Sequence, residues 1–180
     1  LSGDIQGYAK IIVDEVSRLE NILKEILCFV KSSRVNKGNV NINDLLSGIV
    51  DFISPEMDER HNTVIKEFSE LPIIAVIDPD RIKEAILNIF TNAAQATEHG
   101  TITVKTRLED NEAVIELTDT GCGIKEEDLK NIFNPFFTTK PQGTGLGLAV
   151  THKIIQEHDG KVKVESVWGS GTAFKIYLPA

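Results

Sequence analysis

Cysteine is nearly absent from this chain: Cys28 and Cys122 are the only two among 180 residues. They lie far apart and lack the paired spacing of a metal site, so the sequence speaks for a reduced cytosolic setting rather than a disulfide framework. Long apolar runs are missing as well. No stretch approaches the roughly 18 residues of a membrane span, and no signal peptide opens the chain. Leu1 rather than Met stands first. The chain is therefore read as a cytoplasmic fragment whose parent is either soluble or membrane-anchored. A basic surplus is also lacking: 19 Lys and Arg face 27 Asp and Glu, for a net charge of -8. That speaks against a large nucleic-acid footprint, and no nucleic-acid partner is expected. The four histidines, His61, His99, His152 and His158, form no HExxH or Cys/His zinc pattern. A structural or exposed role is expected for each. What is present, 41% apolar and 26% charged residues, suits one soluble globular domain with an appendage.

The appendage comes first. Ile5, Ala9, Ile12, Val16, Leu19, Leu23, Ile26 and Val30 recur at alternating steps of four and three. That is the seam of a helix packed in a coiled coil or bundle. Ile11, Val13, Ile22, Leu27 and Phe29 widen the stripe, which suits a four-helix bundle better than a two-helix seam. No second heptad helix follows, so the partners are expected from a preceding helix and a second copy of the chain. A long helix lying on its own domain is the alternative. Ser32, Ser33, Asn36, Lys37, Gly38 and Asn39 form a polar break, read as the linker.

Beyond the linker the pattern mixes strands and helices. A short strand is expected at 40–42, then a helix capped by Asn43 and running to about residue 60, bent at Pro55. Strands follow at 64–68 and 73–77. The sequence Asp78-Pro79-Asp80 then starts an amphipathic helix that continues to about residue 97. Residues 101–108 and 113–118 alternate as a hairpin turning at Asp110-Asn111. A short helix at 126–133, a helix at 146–158 ending near Gly160, and closing strands at 161–166 and 173–178 complete the chain. Strands and helices do not alternate regularly. The expected fold is an α/β (α+β) two-layer sandwich, a mixed, mostly antiparallel sheet with helices on one face.

Four segments carry the chemistry. Asn88 and Asn92 stand one turn apart on one helix face, where two amide oxygens can ligate a hard cation and still donate to phosphate. Taken alone, such a pair is more often ordinary polar surface. Asp119-Thr120-Gly121-Cys122-Gly123 ends a strand in a carboxylate, which in a cleft accepts from an exocyclic amine such as that of adenine. An Asx-type turn is the other reading. Phe133, Phe136 and Phe137, with Pro135 and Pro141 around Thr138-Thr139-Lys140, suggest a hinged lid or a small apolar cluster under a loop. Gly143-Thr144-Gly145-Leu146-Gly147-Leu148 opens a helix whose free N–H groups form a phosphate cradle. It is neither a P-loop nor a dinucleotide fingerprint.

Taken in order, these segments resemble the N, G1, F and G2 boxes of sensor histidine kinases, members of the Bergerat-fold superfamily with type II topoisomerases, heat-shock chaperones and mismatch-repair ATPases. The resemblance covers roughly 40–180, and the Glu15-Val16-Ser17-Arg18-Leu19 stretch resembles the second helix of the family's dimerisation and phosphotransfer domain. It implies two domains: 1–35 as that helix, from a dimeric four-helix bundle, and 36–180 as the ATP-binding catalytic domain. It implies ATP and Mg²⁺ as ligands, with Asn88 as the catalytic position and Asn88 and Asn92 holding metal and phosphates. Asp119 would bind the adenine amine, Gly121 and Gly123 would shape the base pocket, and Thr172 would lie beside Asp119. The loop 136–143 would be the ATP lid, with Lys140 a phosphate contact. Gly143, Gly145 and Gly147 would meet the phosphates through their backbone, and Ile124, Phe137, Thr144, Leu146 and Leu148 would complete the nucleotide site. The implied partners are a response-regulator receiver domain, the phosphoacceptor helix and, in the parent, a second copy.

Two departures sharpen the expectation. The superfamily's ATP hydrolases carry a Glu at the place of Asn88, and an amide cannot act as a general base. Glu84 is a further turn away. This favours phosphoryl transfer over hydrolysis. In addition, the family's His-Glu/Asp-x-x-x-Pro phosphoacceptor motif does not occur here. The chain is expected to bind Mg–ATP without phosphorylating itself on histidine. An ATP-hydrolysing clamp of the same superfamily and a catalytically silent docking module are the alternatives.

Overall fold

The computed structural model describes residues 35–140 and 143–180, together with Lys10, Ile12, Val13, Glu15, Val16, Leu19, Glu20 and Leu23. Those eight are helical, and the seam positions Ile12, Val16, Leu19 and Leu23 are exposed. The rest of the expected heptad helix lies outside the described residues, as do Ser32, Ser33, Pro141 and Gln142.

From the linker onward the order is β1 (Gly38–Asn41), α1 (Ile42–Glu59), β2 (Thr63–Glu67), β3 (Ile74–Ile77), α2 (Pro79–Ala96), β4 (Thr101–Glu109), β5 (Glu112–Asp119), α3 (Glu126–Leu129), α4 (Gly147–Glu157), β6 (Lys161–Val167) and β7 (Gly171–Pro179). The main sheet has five strands in the order β2-β4-β5-β7-β6; only β2–β4 is parallel. Period-two burial explains its single apolar face. Ile102 and Val104 of β4, Ile115 and Leu117 of β5, and Phe174, Ile176 and Leu178 of β7 are all buried in one core. The helices α1, α2 and α4 supply the facing layer, with Ile82, Ala85, Ile86, Ile89, Phe90 and Ala93 recurring at helical spacing along α2. This is the expected two-layer sandwich.

Local signals set the boundaries. The Asp78 carboxylate caps α2 by accepting from Asp80 N–H and Arg81 N–H, both at 3.2 Å, and Pro79 occupies the first turn. Asp110 and Asn111 have φ of 51° and 62°, the left-handed pair of a two-residue hairpin turn. His158, buried at the end of α4, accepts from Asp78 N–H through Nε2 at 2.9 Å and meets Ile154 O through Nδ1 at 2.7 Å. It is therefore a neutral, structural histidine. His61 and His99 stack on each other in exposed turns, and His152 sits against Phe133. The linker is tied to this same corner. Asn36 N–H donates to Asp78 Oδ2 at 2.8 Å, and Lys37 Nζ pairs with Asp159 at 2.8 Å.

Several expectations need correction. The cap of α1 is Asn41, whose side chain accepts from Asn43 N–H at 3.2 Å. Asn43 lies inside the helix and spends its amide on Ser69 O and Leu71 O, and its oxygen on Thr106 Oγ1. The first strand accordingly ends before Ile42 and pairs with β3 as a separate two-stranded sheet. The helix expected at 126–133 is a single turn. The helix α4 does end near Gly160, with Asp159 as its left-handed residue at φ of 58°. Gly160 N–H bonds to Ile155 O and Asp159 N–H to Gln156 O, both at 3.0 Å, closing the helix in the Schellman manner. Gly160 is required for space, because a Cβ there would lie 2.5 Å from Tyr177 O.

Candidate functional site

The four segments singled out in the sequence line one cleft of about 720 Å³. The helix α2 contributes Asn88 and Asn92, the end of β5 and its loop contribute Asp119, Gly123 and Ile124, and β7 contributes Thr172. The loop before α4 contributes Phe137, Lys140, Gly143, Thr144 and Gly145, and the first turn of α4 contributes Gly147 and Leu148. Gly121 and Leu146 do not line it. Leu146 is 1% exposed and belongs to the packing beneath α4, so its expected ligand contact is corrected to a supporting place.

At one end stands Asp119, 5% exposed. Its Oδ1 accepts from Gly121 N–H at 2.9 Å. Burial pushes the carboxyl above its ordinary value, against the pull of the Gly121 and Thr172 N–H groups. Gly121 is dictated by space: a Cβ there would meet Ala96 O at 2.4 Å, at the close of α2. Cys122 N–H also donates to Ala96 O, at 3.0 Å. A buried acceptor whose ionised form is costly, held rigid by glycine-only contacts, is suited to a donor brought by a ligand.

At the other end the amide pair faces the glycine loop. Asn88 Nδ2 donates to Gly147 O at 3.2 Å, and Asn92 Nδ2 donates to Asn88 O at 3.0 Å. Asn92 Oδ1 accepts from Lys140 Nζ at 2.9 Å, and the same ammonium meets Gln95 Oε1 at 2.5 Å. Burial lowers the Lys140 pKa, with the nearby Cys122 opposing that shift. Leu146 offers no side chain to cap α4, Thr144 Oγ1 accepts from Leu146 N–H at 3.3 Å, and Gly147 and Leu148 line the cleft at the helix end whose N–H groups lack intrahelical partners. Gly145 has φ of 69°, and a Cβ there would meet Phe136 C at 2.4 Å. Phe136 N–H donates to Gly145 O at 2.9 Å, which ties the base of the loop to the helix start.

A model of the family described as histidine kinase-, DNA gyrase B- and HSP90-like ATPases matches residues 77–180. The chain belongs to this ATPase family. Within it the similarity is to sensor histidine kinases, and this is a histidine kinase ATP-binding catalytic domain. Sensor histidine kinase ZraS of Salmonella typhi is 37% identical over 98% of this chain and 38% of that protein. Sporulation kinase E of Bacillus subtilis is 33% identical over 99% of this chain and 24% of that protein. The chain thus spans less than half the length of these relatives. Among solved structures, histidine kinase ThkA in complex with the response regulator protein TrrA superposes with a TM-score of 0.81. It is 30% identical, over 96% of this chain and 50% of that one. Full-length ShkA in complex with AMPPNP gives a TM-score of 0.86 at 25% identity, over 97% of this chain and 38% of that one.

Sequence reasoning missed other residues lining this cleft, notably Gln95, Cys122, Lys125 and Trp168. Gln95 was within reach, since it follows Asn92 by three positions on the same helix face. Trp168 carries no local signal. Only the pairing of β6 with β7 brings its turn to the cleft.

Proposed function

We propose that this chain is the catalytic core of a two-component sensor histidine kinase. It binds Mg–ATP in the cleft and passes the γ-phosphoryl to a histidine on a dimeric helical bundle, from which an Asp of a receiver domain takes it. One observation carries the reading: a single cleft joins a buried carboxylate, Asp119, to a glycine-led helix start and an amide pair.

Each residue then has a task. Asp119 accepts the adenine amine, and the base is recognised by this charge-assisted bond. The first turn of α4 donates N–H groups to the phosphates. Asn88 and Asn92 fit a hard, oxygen-seeking cation, and the ammonium already held by Asn92 Oδ1 is a stand-in for one. Mg²⁺, when bound, supplies neutralisation of the phosphate charge. Lys140 leaves Asn92 and Gln95 on nucleotide binding and turns its charge to the phosphates. Transfer rather than hydrolysis follows from what is absent at Asn88, because an amide does not activate water. Glu84 does not replace that base: it is held by Arg81 at 2.7 Å. In this reading 1–35 is the second helix of the dimerisation domain and 36–180 the catalytic domain, a division supported by the bonds of Asn36 and Lys37 to Asp78 and Asp159.

The test is an ATP titration with and without Mg²⁺, followed by supplying a complete dimerisation domain in trans. Acid-labile phosphohistidine on the added domain is the expected product. Steady phosphate release at seconds-scale turnover without phosphohistidine would instead favour the ATP-hydrolysing clamp.

A further inference from the structure

One large side chain at the cleft has no task in this account. Trp168, in the β6–β7 turn, is 59% exposed and lines the cleft beside Ile124 and Lys125. Its turn is anchored to the loop that shapes the Asp119 end. Gly169 N–H donates to Cys122 O at 2.7 Å. The Ser166 hydroxyl accepts from Ile124 N–H at 2.8 Å and reaches Gly171 O at 2.9 Å. Gly123, with φ of 71°, makes this approach possible: a Cβ there would lie 2.2 Å from Val167 O and 3.1 Å from Trp168 Cα. Loop and turn are therefore one bonded unit, and the indole is presented from a fixed base. Lys125 Nζ stands 5.5 Å from the ring centroid, within cation–π range. An indole left this exposed keeps a large apolar area available for burial by a ligand.

We propose that Trp168 is a nucleotide-binding residue whose indole packs on the base that Asp119 reads, and that it sets a preference for purine over pyrimidine nucleotides. The inference rests on the nucleotide reading of the same cleft. Asp119 recognises an edge of the base through hydrogen bonds but covers little area. The indole adds a stacking face, and a two-ring purine covers more of it than a one-ring pyrimidine does. Rigid aromatic platforms of this kind bind bases with little loss of side-chain freedom.

The chain has one tryptophan, so its emission reports Trp168 alone. The 180-residue chain is titrated with ADP, CDP and inorganic tripolyphosphate, following fluorescence and calorimetry. Trp168→Ala and Trp168→Phe are measured alongside. ADP should change the emission and tripolyphosphate should not. Trp168→Ala should weaken ADP about tenfold and CDP far less, and Trp168→Phe should keep most of the ADP affinity. ADP affinity in Trp168→Ala equal to that of the wild type overturns the proposal and leaves the nucleotide reading intact. No ADP binding by the wild type overturns both. Should Trp168→Ala fail to fold, wild-type emission that is unmoved at ADP saturation overturns the proposal by itself.

Discussion

Replacing Asp119 by Asn separates a ligand's contribution from the fold's. The carboxylate is almost wholly buried, accepts from Gly121 N–H at 2.9 Å, and has its pKa raised by burial. An acid whose folded pKa is raised binds its proton more tightly when folded, so its ionisation costs stability as pH rises through that window. At neutral pH the charge of Asp119 therefore does not hold the domain together. The substitution removes that cost, and an amide oxygen still accepts from Gly121. The loss falls on the ligand. In the variant a donor NH₂ can face the donor amine of adenine, and a charge-assisted hydrogen bond contributes about 1.5–3 kcal/mol. ADP affinity should fall roughly 10- to 100-fold, while the unfolding free energy should drop by no more than about 1 kcal/mol. Inosine diphosphate carries a carbonyl where adenine carries the amine, so Asp119→Asn should narrow or reverse the preference between the two nucleotides. Calorimetric titrations with both, beside a urea melt, make the assay. Unchanged ADP affinity, or a loss of affinity matched by loss of fold, would refute the reasoning.

Three further outcomes are expected. Gly145→Ala forces a side chain into a left-handed position 2.4 Å from Phe136 C, and should cost about 1–3 kcal/mol. Gly147→Ala meets nothing closer than Asn88 Cγ at 3.7 Å and should melt no lower than the wild type; equal losses in both variants would sink the distinction. Phe90→Ala empties a core position that is 1% exposed and should destabilise the domain by about 3–5 kcal/mol in a denaturant titration, a value below 1 kcal/mol being incompatible with the packing described. For Asp78, burial opposes ionisation, but N–H donors from Asn36, Arg81 and Asp80 hold the carboxyl below its ordinary value. Its contribution is thus present above the ordinary carboxylate range and lost as pH falls through the folded value. Below about pH 4 the wild type should lose stability more steeply than Asp78→Asn, and identical acid limbs would contradict this.

Much of this molecule was legible in its sequence because the signals are local. The cap-and-proline start of α2, the Asp110-Asn111 turn and the alternation along β4 and β5 are each written within a few residues. The ligand-facing segments were legible for the same reason: Asn88 and Asn92 share a helix face, and glycines mark where backbone must come close. What escaped depends on contacts made far along the chain. Asn43 looked like a cap, yet its amide is taken by Ser69 and Leu71, and the cap fell to Asn41. Gly160 marked the end of α4 in the sequence, but the space constraint on it, the Tyr177 carbonyl from β7, did not show there. The hold of Lys140 on Asn92 and Gln95 joins residues 48 and 45 apart, and no spacing rule foretells it.

The most direct measurement is a crystal structure of the chain with Mg–AMPPNP. The adenine amine should lie within hydrogen-bond reach of Asp119, the phosphates at the first turn of α4, and the cation beside the side-chain oxygens of Asn88 and Asn92. A nucleotide bound elsewhere, or one in this cleft with its base turned away from Asp119, would contradict this reading.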